Sequence, residues 1–174
     1  MAYEGERSDP TLAMCRDLEL NFDGKKLIFS VGDKVYTYPA VSGVATDDGT
    51  FDYSPARQRL SSVGPIPEGI YWINPAQMWT NGWHKIGSRA SWGNHRVTIH
   101  PFTTTETFGR GGFFIHGGDT PGSKGCIDLV GIMDRFVRDL LNEAGSGQNC
   151  QIHLTVRYPV AGDYVAPRGD LVTA

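Results

Sequence analysis

The chain has 174 residues, of which 40% are hydrophobic and 20% charged, and it carries a formal net charge of −3. That length suits one domain with a sizeable core, and the composition excludes a disordered chain. The slight acid excess, with no run of like charge, argues against a dedicated nucleic-acid binder, and no apolar run reaches transmembrane length. With 22 glycines and 10 prolines, the chain favours short strands and frequent turns over long helices. Its first residues, MAYEGERSDP, lack the charged-then-apolar layout of a secretory signal, so the expectation is a protein made in the cytoplasm without membrane insertion.

Residues 1–17 read as an N-terminal arm, loosest over its first part, ahead of one domain spanning 18–174. In LELNFDGKKLIF, Leu18, Leu20 and Phe22 alternate with polar residues, and Leu27 and Phe29 resume the alternation. Asp23-Gly24 supplies the hairpin turn, because glycine tolerates positive φ. A second turn at Gly32-Asp33 leads into KVYTYPAV and completes a β-meander. Residues 42–64, rich in Gly, Ser, Asp and Thr, read as a long loop of the kind that is usually functional. GPIPEGIYWIN predicts a turn and then a strand from Ile70 to Ile73, while residues 74–95 show little periodicity. HRVTIHPF, FFIH and QIHLTVRY read as three further strands. In IDLVGIMDRFVRDLLNEAG, Val130, Met133, Val137, Leu140, Leu141 and Ala144 recur at helical spacing. This predicts one amphipathic helix with Asp128 as N-cap and Gly145 beyond its C-terminus. The total is a mainly β fold.

The chemistry concentrates in FFIHGGDTPGSKGCIDL, residues 113–129, where His116 stands 10 positions before Cys126. From the residues alone this is a nucleophile with its base, a fragment of a metal site, or a tight turn. A thiol becomes a useful nucleophile as thiolate, which a nearby imidazole and a helix N-terminus both favour. Gly117 and Gly118 let the chain leave the strand, and Gly122 and Gly125 allow conformations closed to larger residues. The amides of Gly125 and Cys126 are candidate oxyanion donors, and Ser123 can hold the loop or orient the imidazole. Of the 3 cysteines, Cys15 and Cys150 can pair in an oxidising compartment or remain free thiols.

The run IHGGDTPGSKGCIDL resembles the active-site signature of the L,D-transpeptidase catalytic domain, the YkuD fold. His116 matches the family's first histidine, Ser123 its Ser/Thr, Gly125-Cys126 its Gly-Cys, and Ile127 the apolar residue after it. Three features depart from it: Lys124 replaces a second histidine, Asp128 replaces Asn or Arg, and the histidine–cysteine gap is short. The departures, together with the DGK hairpin, YPAVSG and GPIPEG segments, resemble the Tlde1-like branch of type VI secretion effectors. The likeness covers roughly residues 18–158.

That resemblance implies a single-domain YkuD-like β-sandwich with one helix following the catalytic cysteine. It implies that Cys126, His116, Ser123 and Gly125 act on tetrapeptide stems of peptidoglycan. Loss of the terminal D-alanine would leave a thioester, resolved by water or by a D-amino acid, in an antibacterial effector delivered to the target periplasm. A cognate immunity protein and a secretion-system component are the implied protein partners; no cofactor and no metal is expected. The alternatives are a transpeptidase forming 3→3 crosslinks in the producer's own wall and an inactive wall-binding module.

Substrate binding is assigned to Lys124, Gly117, Arg96, Arg89 and Trp92. Arginine suits the stem carboxylates as a fork, and Lys124 would favour thiolate if it faces the sulfur. His84, His95, His100 and His153 lack metal-ligand spacing, and Asp119 lies too close in sequence to His116 for more than a turn role. GDTPGSKGC lacks the Gly-Lys-Ser/Thr of a phosphate-binding loop.

Overall fold

The computed structural model describes residues 9–80, 95–118, 123–129, 131–145, 147–159 and 163–165. Strands β1 (Met14–Phe22), β2 (Lys26–Val31) and β3 (Lys34–Pro39) form the predicted antiparallel meander. The Asp23 carboxylate accepts the main-chain N–H groups of Lys25 and Lys26, and Gly24 takes φ +92°, so the first turn is built as its residue types suggest.

After the meander come β4 (Val41–Ser42), β5 (Thr50–Asp52), a short helix α1 (Pro55–Gln58) and β6 (Gly69–Ile73). A 3₁₀ turn (Pro75–Gln77), β7 (Trp79–Thr80), β8 (His95–Pro101) and β9 (Phe113–His116) follow. The chain then runs through β10 (Ile127–Asp128), helix α2 (Met133–Ala144), β11 (Gln151–Val156) and β12 (Asp163–Val165).

One long sheet runs β3-β2-β1-β11-β6-β8-β9-β10-β4; β7 pairs with β8, and β12 pairs with β5. Most neighbours are antiparallel, but β1–β11 and β9–β10 are parallel. Register lines up the apolar positions strand by strand, as in Phe29–Leu20–Leu154–Tyr71. This inner face continues through Val97, Ile115 and Ile127, and all of these residues are buried. Helix α2 closes over it: Phe136 meets Tyr38 edge-to-face at 5.2 Å, and Met133, Val137 and Leu140 are buried. Its solvent side is tied to β3, where Glu143 accepts from Lys34 and Tyr36 and Asp139 accepts from the Tyr38 hydroxyl.

Three expectations are corrected. The helix does not begin beside Cys126: Ile127 and Asp128 form a strand, and α2 starts at Met133 without a side-chain cap. An apolar run so short satisfies both periods, and tertiary pairing decides between them. The arm ends earlier than expected, because β1 begins at Met14 and Cys15 forms a disulfide with Cys150. The 42–64 segment contains ordered elements. Thr46, Asp48 and Thr50 interlock by hydrogen bonds ahead of β5, and Ser54 caps α1 by accepting from the Arg57 N–H. No helix among the described residues is long and apolar enough to cross a membrane.

Candidate active site

Strand alternation turns the inner face of β8–β9–β10 into core and gives the opposite face a different content. Arg96 pairs with His116, and His116 with Asp128, so one row crosses three strands. In the next row Thr98 pairs with Phe114, and Cys126 directly precedes Ile127, the partner of Ile115. Just ahead of β10, Cys126 continues that register opposite Phe114, and so shares a sheet face with His116 two positions along. The Phe114 main-chain N–H points at the Cys126 sulfur, which lies 3.9 Å from the Gly112 carbonyl oxygen.

His116 is 2% exposed, and its Nδ1 lies 2.9 Å from the Gly117 carbonyl oxygen. A carbonyl only accepts, so Nδ1 carries the proton and Nε2 keeps its lone pair. Burial, and secondarily the positive charge of Arg96, hold the imidazole below its ordinary 6.5, against the Gly117 bond that raises it. The ring is neutral at neutral pH, the form a general base requires.

Burial pushes the Cys126 thiol up to about 12; the Phe114 N–H, Arg96 and Arg110 oppose the rise, and the Asp128 charge adds to it. The resting thiol is thus protonated, and its activation needs proton removal rather than a standing thiolate.

The loop between β9 and β10 is the crossover of a parallel strand pair. Ser123 anchors its return: its N–H donates to the Gly43 carbonyl at 2.8 Å, and its hydroxyl to the Cys126 carbonyl at 2.6 Å. Ser123 holds the loop, therefore, and its hydroxyl is engaged away from the imidazole. Gly125 takes φ +96°, and a Cβ there would lie 2.7 Å from an Arg110 nitrogen. At Gly117 the need is space: a Cβ would come within 2.6 Å of the Met133 Cβ, at the first turn of α2.

Arg96 stands in the site row with its guanidinium stacked between Trp79, at 4.8 Å, and Phe114, at 4.6 Å. Lys124 is exposed, and the positive charges of Arg96 and Arg110 act on the thiol. Arg89, Trp92, His84, Asp119, Gly122 and Val130 lie outside the described residues.

The other described histidines have structural surroundings. His95 Nε2 is 3.5 Å from Asp134, His100 stacks on Trp72 at 4.2 Å, and His153 bonds to Gln151. Among the described residues no three His, Cys, Asp or Glu side chains converge as metal ligands.

Two residues of the site escaped the sequence reading. Asp128, expected to cap a helix, is fully buried beside His116. Arg110 reaches the back of the catalytic turn from a loop with no motif of its own, and only its place between glycines, GRGG, marks it in the sequence.

The Tlde1 domain model matches residues 40–143, a span that holds β4, the whole β8–β9–β10 site and most of α2. The structure of Bdellovibrio bacteriovorus Bd1075 is similar at 13% identity and a TM-score of 0.48, over 97% of this chain and 55% of that one. The chain thus spans about half the length of that protein. No curated protein matches it.

Proposed function

Because the chain belongs to the Tlde1 domain family, we propose that it is a peptidoglycan-modifying effector of type VI secretion that trims tetrapeptide stems through a Cys126 thioester. Family membership supports the effector and the peptidoglycan; the observation supporting the chemistry is the neutral, backbone-oriented His116 on the same sheet face as Cys126.

In the proposed reaction the Cys126 sulfur attacks the carbonyl carbon preceding the terminal D-alanine, while His116 Nε2 takes the thiol proton. The oxyanion is received by the main-chain N–H groups of Gly125 and Cys126. Collapse breaks the C–N bond, His116 returns the proton to the leaving D-alanine nitrogen, and the thioester remains. Water, deprotonated by the same imidazole, releases the shortened stem; a D-amino acid in its place gives exchange. Coupled removal of the thiol proton suits a sulfur whose burial disfavours a standing thiolate.

The substrate carboxylates call for cations, and Arg96, held between two aromatic rings beside His116, is the best-placed described residue. Arg89, Trp92, Gly117 and Lys124 remain proposed contacts. An immunity protein that covers the Cys126 face and a secretion-system component are the proposed protein partners, with the target periplasm as the site of action.

The test is a mass-spectrometric digest of muropeptides after incubation with purified protein. Loss of D-alanine from tetrapeptides, abolished by Cys126→Ala, is the expected result. New 3→3 dimers alone would replace trimming by crosslinking, and an unchanged digest would overturn both.

A further inference from the structure

Arg110 is the buried charge that the proposed reaction leaves unused. It is 7% exposed, and its guanidinium is spent on neutral main-chain carbonyls: Nη1 donates to Gln58 and Pro65, and Nη2 to Gly64 at 2.9 Å. Among the described residues no carboxylate pairs with it, and its Nε is buried without an acceptor. Taking a full positive charge out of water for carbonyls and the Phe113 ring, 5.7 Å away, is expensive, and a neutral amide side chain would serve such carbonyl acceptors at lower cost.

What the guanidinium faces explains the charge. Nη2 packs on Gly125 so closely that a Cβ there would lie 2.7 Å away, and Gly125 directly precedes the sulfur-bearing residue. The ionisable groups that feel Arg110 are Tyr71, Tyr158 and Cys126. Burial holds both phenols above their ordinary range, so they stay neutral. Cys126 is the one whose anion the chemistry uses.

The same guanidinium joins residues 58–65 to the catalytic turn. That segment also meets the chain at the end of β4, since the Val44 N–H donates to the Val63 carbonyl at 2.9 Å, while the Ser123 N–H donates to the neighbouring Gly43 carbonyl.

We propose that Arg110 is the resident counter-charge of the Cys126 thiolate and the clamp that sets the Gly125–Cys126 turn against the 58–65 segment. It is a positioning and electrostatic residue, acting through Gly125 from behind the sulfur. The inference rests on Cys126 being the nucleophile, and its test reads the thiol directly rather than the digest of peptidoglycan.

The full chain, with its disulfide intact so that Cys126 is the free thiol, is alkylated with iodoacetamide across a pH series and followed by intact mass. Arg110→Met and Arg110→Gln are expected to move the alkylation profile to higher pH by about one unit, which is about tenfold slower at any pH below the midpoint. Arg110→Lys, which keeps the charge and loses the fork, is expected to restore most of that rate while melting earlier than the wild type. Profiles of the neutral variants that coincide with the wild type overturn the proposal, as does a Lys variant no faster than Met and Gln. If neither neutral variant folds, Arg110→Lys alone decides: an alkylation profile within about half a pH unit of the wild type supports the counter-charge, and one displaced upward by a full unit overturns it. Should the expected shift occur while muropeptides stay unchanged, the proposed substrate fails and the counter-charge stands.

Discussion

The two faces of β8–β9–β10 are built from the same strands and differ in almost everything else. One face presents Val97, Ile99, Phe113, Ile115 and Ile127 to the core; the other presents Arg96, Thr98, Phe114, His116, Cys126 and Asp128. All but the half-buried Arg96 are buried, so burial alone does not separate structure from chemistry here. What separates them is charge and hydrogen-bonding capacity placed out of water, which a fold tolerates only where something else is gained.

Adjacent residues test that division most sharply. His116→Gln is expected to lower turnover by at least about a hundredfold, as loss of a general base does, with a small change in melting temperature. Ile115→Ala, one residue earlier and on the other face, is expected to cost about 2–5 kcal/mol of stability through a core cavity. At temperatures where that variant is folded it should keep the wild-type alkylation profile of Cys126. Denaturant melts and thiol alkylation on both variants check this, and equal stability losses would erase the distinction between the faces.

Ser123→Ala removes the hydroxyl that donates to the Cys126 carbonyl. A loss of about 1 kcal/mol, with turnover reduced about fivefold, is the expected result in parallel melts and digests.

The pH dependence follows from the depressed affinity of His116 for protons. The acid limb of the rate profile is expected below pH 6.5, the ordinary value of a histidine. Since the unfolded chain binds that proton more readily, the stability tied to the neutral ring is present above this value and declines as pH falls past it. A rate profile whose acid limb lies above 6.5 would mean that the charged ring is favoured on this face.

The smallest effect is expected at Lys124. Being exposed, it should tolerate Ala with less than about a twofold change in alkylation rate, within the range of exposed charges.

Alternation made most of the scaffold readable. The meander, β8 and β11 all carry the period of two that core burial imposes, and the turns at Gly24 and Gly32 carry residues suited to positive φ. His116 and Cys126 stood out because glycines and a family signature surround them. The surroundings of the thiol were less legible. β10 is too short to have a period, so Asp128 read as a helix cap instead of a neighbour of His116. Arg110 binds main-chain carbonyls, which no sequence pattern advertises. The ten-residue spacing of histidine and cysteine likewise hides a parallel crossover, a connection more often made by a helix.

The place of β11 carries a consequence for assembly. It lies between β1 and β6, so it alone joins the meander to the strands that bear His116 and Cys126. During synthesis β1 and β6 emerge long before the segment that must fill the gap between them. Until residues 151–156 arrive, both present open edges with no neighbour on that side. The first strand of this sheet to leave the ribosome therefore waits for its last, and a nascent chain carrying the full Cys126 loop still lacks the piece that unites the sheet.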